Sequence, residues 1–357
     1  MKSIPISVVM SVFNGQAFLA DAVESILGQS FDDFEFVIID DGSTDQTSEI
    51  LRRYVAQDAR IRIHRHDNMG RTQSLNVGIR IASGKYIARM DADDISLPNR
   101  FQEQFSFMEG HPDVGLLGGA FQLISEDGSV LDAIRCPTQD SEIRSAMRIE
   151  NPVCHPAAFL RKDLVLAVGG YRKPFVESED YDLWLRISER SQLANLETCV
   201  LQYRIHPGQV SIKSMRHQRE CGLAARAAAA LRSQGLPDPL SQVEEVSAQL
   251  LERLGVTKAM TEEYVLRGYY HWISILEKTN PHAALQAIGQ VLDQRDSCRL
   301  ERSAAADMYV RAAALHYREG RMLWATWSLI RAIVSRPAIT ALLLRTAFSR
   351  RASLGGN

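Results

Sequence analysis

An apolar run of four residues, Phe36-Val37-Ile38-Ile39, stops abruptly at Asp40-Asp41-Gly42-Ser43-Thr44-Asp45, and this feature constrains the fold of the 357-residue chain more than any other. The run is too short for a helix and lacks polar alternation, so it suits a strand buried on both faces of a parallel sheet. The same grammar recurs on either side. Val8-Val9-Met10 reads as a strand ending at Ser11-Val12-Phe13-Asn14-Gly15, and the helix after it carries Leu19, Val23, Ile26 and Leu27 on one face. After the central run, Ser43 and Gln46 have capping-box spacing, with Ile50, Leu51, Tyr54 and Val55 on the apolar face of the next helix. A third unit runs from Ile61 to His64, through Asn68-Met69-Gly70 and a helix around Leu75 and Ile79, to the strand Tyr86 to Met90. Alternating β and α units predict a parallel, doubly wound sheet. Ligands of such sheets bind beyond the carboxyl ends of the strands, where the three polar loops gather.

The fourth strand runs into Asp91-Ala92-Asp93-Asp94. Clustered carboxylates repel one another, so a fold tolerates them best where a divalent ion or several hydrogen-bond donors compensate. Magnesium or manganese held by one or two carboxylates keeps positions open for phosphate oxygens. A solvated acidic turn that caps a helix is the plainer reading of the same residues. Asp94 is placed to favour the helix that begins near Leu97-Pro98.

The run SVVMSVFNGQAFLADAVESILGQSFDDFEFVIIDDGSTDQT, the segment NMGRTQSLNVGIRIASGKYIARMDADD and the later SEDYDLWLRI together resemble family 2 glycosyltransferases of the GT-A fold. The resemblance covers residues 1–213 and implies a Rossmann-like nucleotide-sugar-binding domain with a mostly parallel central sheet. It implies inverting transfer of a sugar from a nucleotide-diphosphate donor, commonly a UDP-sugar, with Mn2+ or Mg2+ on the diphosphate. The acceptor it implies is a glycan or lipid-linked hydroxyl. Carried over residue by residue, Phe13 stacks on the base, Ser11 and Asn14 bond base or ribose, and Asp41 accepts from the uracil ring N–H. Asp91 reaches the ribose or the metal shell, Asp93 is a metal ligand, and His206 returns to the diphosphate or metal from far along the chain. Asp180 matches the general base of the acidic pair and Glu179 its partner. The chain departs from the common pattern at Leu75, where many relatives carry an arginine before the residue aligned with Asn76; Arg71 and Gln73 are therefore the candidates to contact the base or diphosphate. His155, in Asn151 to Pro156, and Trp184 belong on the acceptor side, Trp184 as a floor for the sugar.

Beyond Met215 the texture becomes almost wholly helical, with segments Cys221 to Leu231, Val243 to Leu254, Tyr264 to Glu277, Ala283 to Leu292, Ala304 to Tyr317 and Met322 to Val334. The expected organisation is a catalytic domain over 1–213 and an all-α region over 214–357. The last stretch combines Arg318, Arg321, Arg331, Arg336, Arg345, Arg350 and Arg351 with Leu323, Trp324, Trp327 and Leu342 to Leu344. Such a helix suits either peripheral contact with an anionic membrane or a bundle with a charged outside, and an oligomer is compatible with both. A net charge of −2 gives no reason to expect nucleic acid as a partner. Five cysteines without C-x-x-C pairing, no convincing leader and no apolar stretch of about 18 residues predict a cytoplasmic chain, with the inner face of the cell membrane as its nearest surface. Two other functions share the sheet: a catalytically silent nucleotide-sugar-binding scaffold and a nucleotidyltransferase. Ser11 to Gln16 lacks the glycine-rich, basic loop of the latter, and the presence of both Asp93 and Asp180 argues against the former.

Overall fold

The computed structural model describes residues 4–206, 214–293 and 302–337. Cys298, the segment Pro207 to Ser211, and Leu342 to Leu344, Arg345, Arg350 and Arg351 lie outside the described residues. Four strands, β1 (Ile6–Val12), β2 (Phe34–Asp40), β3 (Ile61–Arg65) and β4 (Tyr86–Met90), alternate with α1 (Leu19–Leu27), α2 (Thr47–Gln57) and α3 (Arg71–Ile81). They lie parallel in the order β3-β2-β1-β4, with Val9 facing Val37 on one side and Arg89 on the other.

Both faces of β1 and β2 are covered, which is why they read as predominantly apolar runs, the buried Ser7 hydroxyl donating to Glu35 at 2.6 Å. Met10, Val12, Phe36, Ile38 and Met90 pack with Leu19, Val23 and Ile26 of α1. On the other face α3 comes close at Gly78, where an added Cβ would lie 2.6 Å from Val9 Cγ1 and 3.3 Å from Ile39 Cγ1. Only a residue without a side chain fits there.

Beyond β4 the curled sheet becomes mixed. The chain continues through β5 (Ile95–Ser96), α4 (Arg100–Gly110), β6 (Val114–Ile124), β7 (Val130–Ile134) and α5 (Asp140–Ala146). It then forms β8 (Phe159–Arg161), α6 (Lys162–Ala167), α7 (Glu179–Ser188) and β9 (Gln192–Arg204). β8 is antiparallel to both β4 and β6, while β9 runs parallel to β6 and antiparallel to β5. The Asp127-Gly128 pair turns the β6–β7 hairpin, Gly128 adopting φ +85°. One local expectation fails: α2 opens at Thr47 without a side-chain cap, so the Ser43 and Gln46 capping box does not form. Ser43 instead accepts a bond from the Asn14 backbone N–H, 3.0 Å away, because its loop is tied to the one after β1.

Six further helices are described, α8 (Met215–Ser233), α9 (Ala248–Arg253), α10 (Lys258–Thr279), α11 (Pro281–Asp293), α12 (Arg302–Arg318) and α13 (Met322–Ser335). The chain divides into two compact units, Met1–Thr261 and Glu262–Asn357. Within the first, α8 rests on α7, with Ser178 Oγ donating to the Gln218 carbonyl at 3.1 Å. No helix among the described residues is long and apolar enough to cross a membrane.

Candidate active site

Three loops at the carboxyl ends of β1, β2 and β3 are laced together by their own polar groups. Asn14, in the left-handed region at φ +53°, accepts from the Thr44 N–H at 2.8 Å, and the Gly15 N–H donates to Thr47 Oγ1 at 2.9 Å. Asp41 is buried and spends both oxygens on the third loop, accepting from the N–H groups of Met69 (2.8 Å) and Gly70 (3.0 Å). Gly42 makes the turn with φ +77°, where a Cβ would lie 2.7 Å from the Asn68 nitrogen. Ser11 is partly buried below this lacing, and the Phe13 ring projects from it, 50% exposed.

β4 delivers the acidic cluster. Asp91, Asp93 and Asp94 each offer a carboxylate oxygen, all within 4.8 Å of one another. Asp91 Oδ1 accepts from Arg89 Nη2 at 2.6 Å, and Asp93 Oδ2 lies 3.0 Å from His206 Nε2. His206 arrives at the end of β9, its ring beside Phe18 at 5.0 Å. Asp94 does not prepare the start of α4. It is buried, its Oδ1 accepts the Arg204 N–H at 2.8 Å, and its Oδ2 has no hydrogen-bond partner among the described residues. Burial, then the charges of Asp93 and Asp91, push its pKa well above the ordinary aspartate range, so it holds its proton more tightly than a free carboxyl. An orphaned buried carboxylate oxygen beside two more carboxylates and an imidazole is a hard-cation donor set, and these residues fit a divalent ion.

α7 presents the second acidic group. Glu177, two residues before it, sits at φ +76°, a strained conformation of the kind that collects at functional sites. Glu179 is buried and meets the Arg71 guanidinium, Nε 2.8 Å from Oε1 and Nη2 donating to Oε2 at 3.2 Å. Asp180 accepts from Asn151 Nδ2 at 2.8 Å through one oxygen and from the Tyr181 N–H at 2.7 Å through the other. Burial and then the Glu179 charge push the Asp180 carboxyl up to about 7, against the opposing pull of Arg71 and Arg89. Arg71 also feels Asp91, so the charges of the two acidic groups meet at this one side chain.

A buried chain of contacts runs underneath. His155 Nε2 lies 2.8 Å from the Tyr171 hydroxyl and 3.2 Å from Arg89 Nε, while its Nδ1 is 3.9 Å from Glu179 Oε1. Burial and the neighbouring Arg89 and Arg71 hold His155 neutral. Asn76 is bonded both ways to the Tyr171 backbone, at 2.7 and 2.9 Å. Gln73 is exposed, and Leu75 is core. Trp184 is fully buried with its indole N–H aimed at the Val153 carbonyl, so it anchors α7 in the core and offers no sugar-binding surface.

The buried roles of Arg89, Arg204 and Tyr171 are not visible in the sequence, which does show Asp94 among the clustered carboxylates and Asn151 in the acceptor-side loop. One signal was available: an arginine inside the apolar strand Tyr86-Ile87-Ala88-Arg89-Met90 needs a buried partner.

A profile of the family "Glycosyl transferase family 2" matches residues 7–168. The O-antigen biosynthesis glycosyltransferase WbnJ of Escherichia coli is 34% identical over 205 residues, which span 56% of this chain and 80% of that protein. The crystal structure of S. aureus TarS in complex with UDP-GlcNAc superposes with a TM-score of 0.52 at 14% identity, covering 91% of this chain and 90% of the other. The mannosyltransferase PcManGT from Pyrobaculum calidifontis, in complex with GDP-Man and Mn2+, gives 0.51 at 17% identity, covering 92% and 86%. At these identities the two structures establish the fold alone.

Proposed function

The chain belongs to glycosyltransferase family 2, and from that premise we propose that it moves a sugar from a nucleotide-diphosphate donor, a UDP-sugar first, to a hydroxyl of a glycan or lipid-linked acceptor with inversion at the anomeric carbon. The observation that supports this reading is Arg71, which pairs with Glu179 at 2.8 Å while feeling the charges of both Asp91 and Asp180, so one side chain responds to the acidic cluster and to the carboxylate proposed as base. Asp180 takes the proton of the acceptor hydroxyl as that oxygen attacks the anomeric carbon. The bond from that carbon to the diphosphate oxygen breaks in the same displacement, and the nucleoside diphosphate leaves with the electron pair. A single displacement inverts the configuration.

Phe13 offers an exposed ring face for the base, with Ser11 and Asn14 beside it. Asp41, already committed to two backbone donors, holds the third loop in place and reads the base with its remaining lone pairs. Asp93, His206, Asp91 and Asp94 are the residues that would hold Mn2+ or Mg2+, and a bound ion would offset the charge of the diphosphate. TarS with UDP-GlcNAc and PcManGT with GDP-Man and Mn2+ support the donor class and the ion, because each occupies the same fold.

A panel of nucleotide sugars incubated with the protein, Mn2+ or Mg2+ and no acceptor tests this. Slow release of nucleoside diphosphate from one donor is expected, removed by Asp93→Ala. Release from no donor, with UDP failing to bind in calorimetry, would sink the reading.

A further inference from the structure

The helix α13 is mounted inside out for a soluble bundle. Ala325, Ser328, Ala332 and Ser335, its small residues, are buried in the packing with α12. Its large apolar residues face away: Leu323 is 87% exposed and Val334 71%, with Trp324, Trp327 and Ile330 exposed between them. These positions recur at helical spacing, so they form one stripe of a size that a soluble surface rarely leaves bare. Trp324 and Trp327 meet edge to face at 6.2 Å, and the Arg331 guanidinium lies 4.8 Å from the centre of the Trp327 ring. Arg321 and Arg336 flank the two ends of the helix, both exposed.

The charge around the stripe is predominantly positive, although Glu319, just before the helix, pairs with Arg321 at 3.2 Å. From Gly320 to Asn357 the sequence has six arginines and no acidic residue, in a chain whose net charge is −2. A second copy of the same face would bring arginines against arginines, whereas an anionic surface complements them. Fourteen residues make a helix about 21 Å long, short of the about 30 Å hydrocarbon core, so the helix lies on a bilayer and does not cross it. Tryptophan and arginine side by side are the residues that settle at the headgroup boundary.

We infer that α13 is a membrane-surface anchor whose Leu323, Trp324, Trp327, Ile330 and Val334 stripe enters the headgroup region of an anionic phospholipid bilayer while Arg331 and Arg336 hold the lipid phosphates. The inference is independent of the donor and of Asp180.

The test is sedimentation of the full-length protein with phosphatidylcholine vesicles, with and without phosphatidylglycerol, at low and high salt. Partition should be at least about tenfold stronger with phosphatidylglycerol and fall with salt. The triple variant Leu323→Ser, Trp324→Ser, Ile330→Ser should lose on the order of tenfold or more of that binding. Its melting temperature should be unchanged, since all three side chains are exposed. Arg331→Glu with Arg336→Glu should remove the preference for phosphatidylglycerol. Brominated acyl chains should quench tryptophan fluorescence in the wild type and not in the triple variant. Equal sedimentation by wild type and triple variant overturns the anchor. So does a self-association in ultracentrifugation that the triple variant abolishes while neither protein binds vesicles.

Discussion

The Arg71 guanidinium grips the Glu179 carboxylate across 108 residues of sequence, joining the first turn of α3 to the first turn of α7. The contact couples an otherwise remote helix to the loop end of β3. It also leaves Asp180 between a negative neighbour and a positive one, so the charge state of the proposed base is set by a balance and not by burial alone.

Asp180→Asn keeps the shape of the side chain and removes the proton acceptor. Turnover should fall about 10²- to 10⁴-fold while donor affinity changes little. Asp93→Asn should weaken both, because it touches the proposed ion site. Steady-state kinetics and UDP calorimetry on the two variants separate the roles. Retention of more than about a tenth of wild-type turnover by Asp180→Asn would move the base assignment to Glu179.

A base must be deprotonated, so kcat should climb with pH and level off above about 7. Glu179→Gln removes the charge that raises Asp180, and the limb should move to lower pH. Arg71→Met removes a charge that lowers it, and the limb should move up. Stability carries the opposite sign: a carboxyl raised in the folded state contributes stability fully below its unfolded value near 4 and loses it as pH rises toward about 7. Asp180→Asn should therefore be more stable than wild type at pH 8 by roughly 1–3 kcal/mol and no more stable at pH 4. Urea titrations at the two values decide it.

The acidic cluster predicts linkage between ion and nucleotide. UDP should bind more tightly with Mn2+ than with EDTA, and Asp93→Ala should erase the difference. Adding Mn2+ and UDP together should raise the melting temperature more than either alone. Equal UDP affinity with and without the ion in the wild type would remove the assignment of Asp93 and His206.

Gly78→Ala tests the packing of α3. The new methyl would press on Val9 and Ile39, and overpacking of this kind costs about 1–3 kcal/mol. A change within a few tenths, read from chemical denaturation, would mean that the helix can ride away from the sheet.

β1 and β2 are legible because burial on both faces leaves mostly apolar residues to choose from, whereas the edge strand β3, with only Ile61 buried, shows as Ile61 and Ile63 alternating with polar residues; the loops are legible because polarity begins abruptly where the strand ends. The mixed half of the sheet is harder. β9 runs for 13 residues with Asn195, Glu197 and Gln202 interspersed, and its identity depends on pairing with β6, a partner far off in sequence. Trp184 faces the core and not an acceptor cleft, a distinction the sequence does not carry because an aromatic residue near an acidic pair looks the same whether it faces sugar or core. Asp94 has the spacing of a helix-start residue, and spacing does not reveal that Arg204 arrives from another strand to bond it. Five of the six helical segments extend a few residues beyond their sequence reading, whereas Val243 to Leu254 is too wide, its helix being Ala248–Arg253.

The lacing of the three loops bears on how donor preference can change. Asn14 reaches Thr44, Gly15 reaches Thr47, and Asp41 reaches Met69 and Gly70, so no one loop holds its shape alone. Grafting a single loop from a relative with another nucleotide preference would import side chains and discard the bonds that shape them. Segments 11–16, 40–47 and 66–71 form one heritable cassette, and recombination or engineering that respects its edges is the route by which a new donor would be acquired intact.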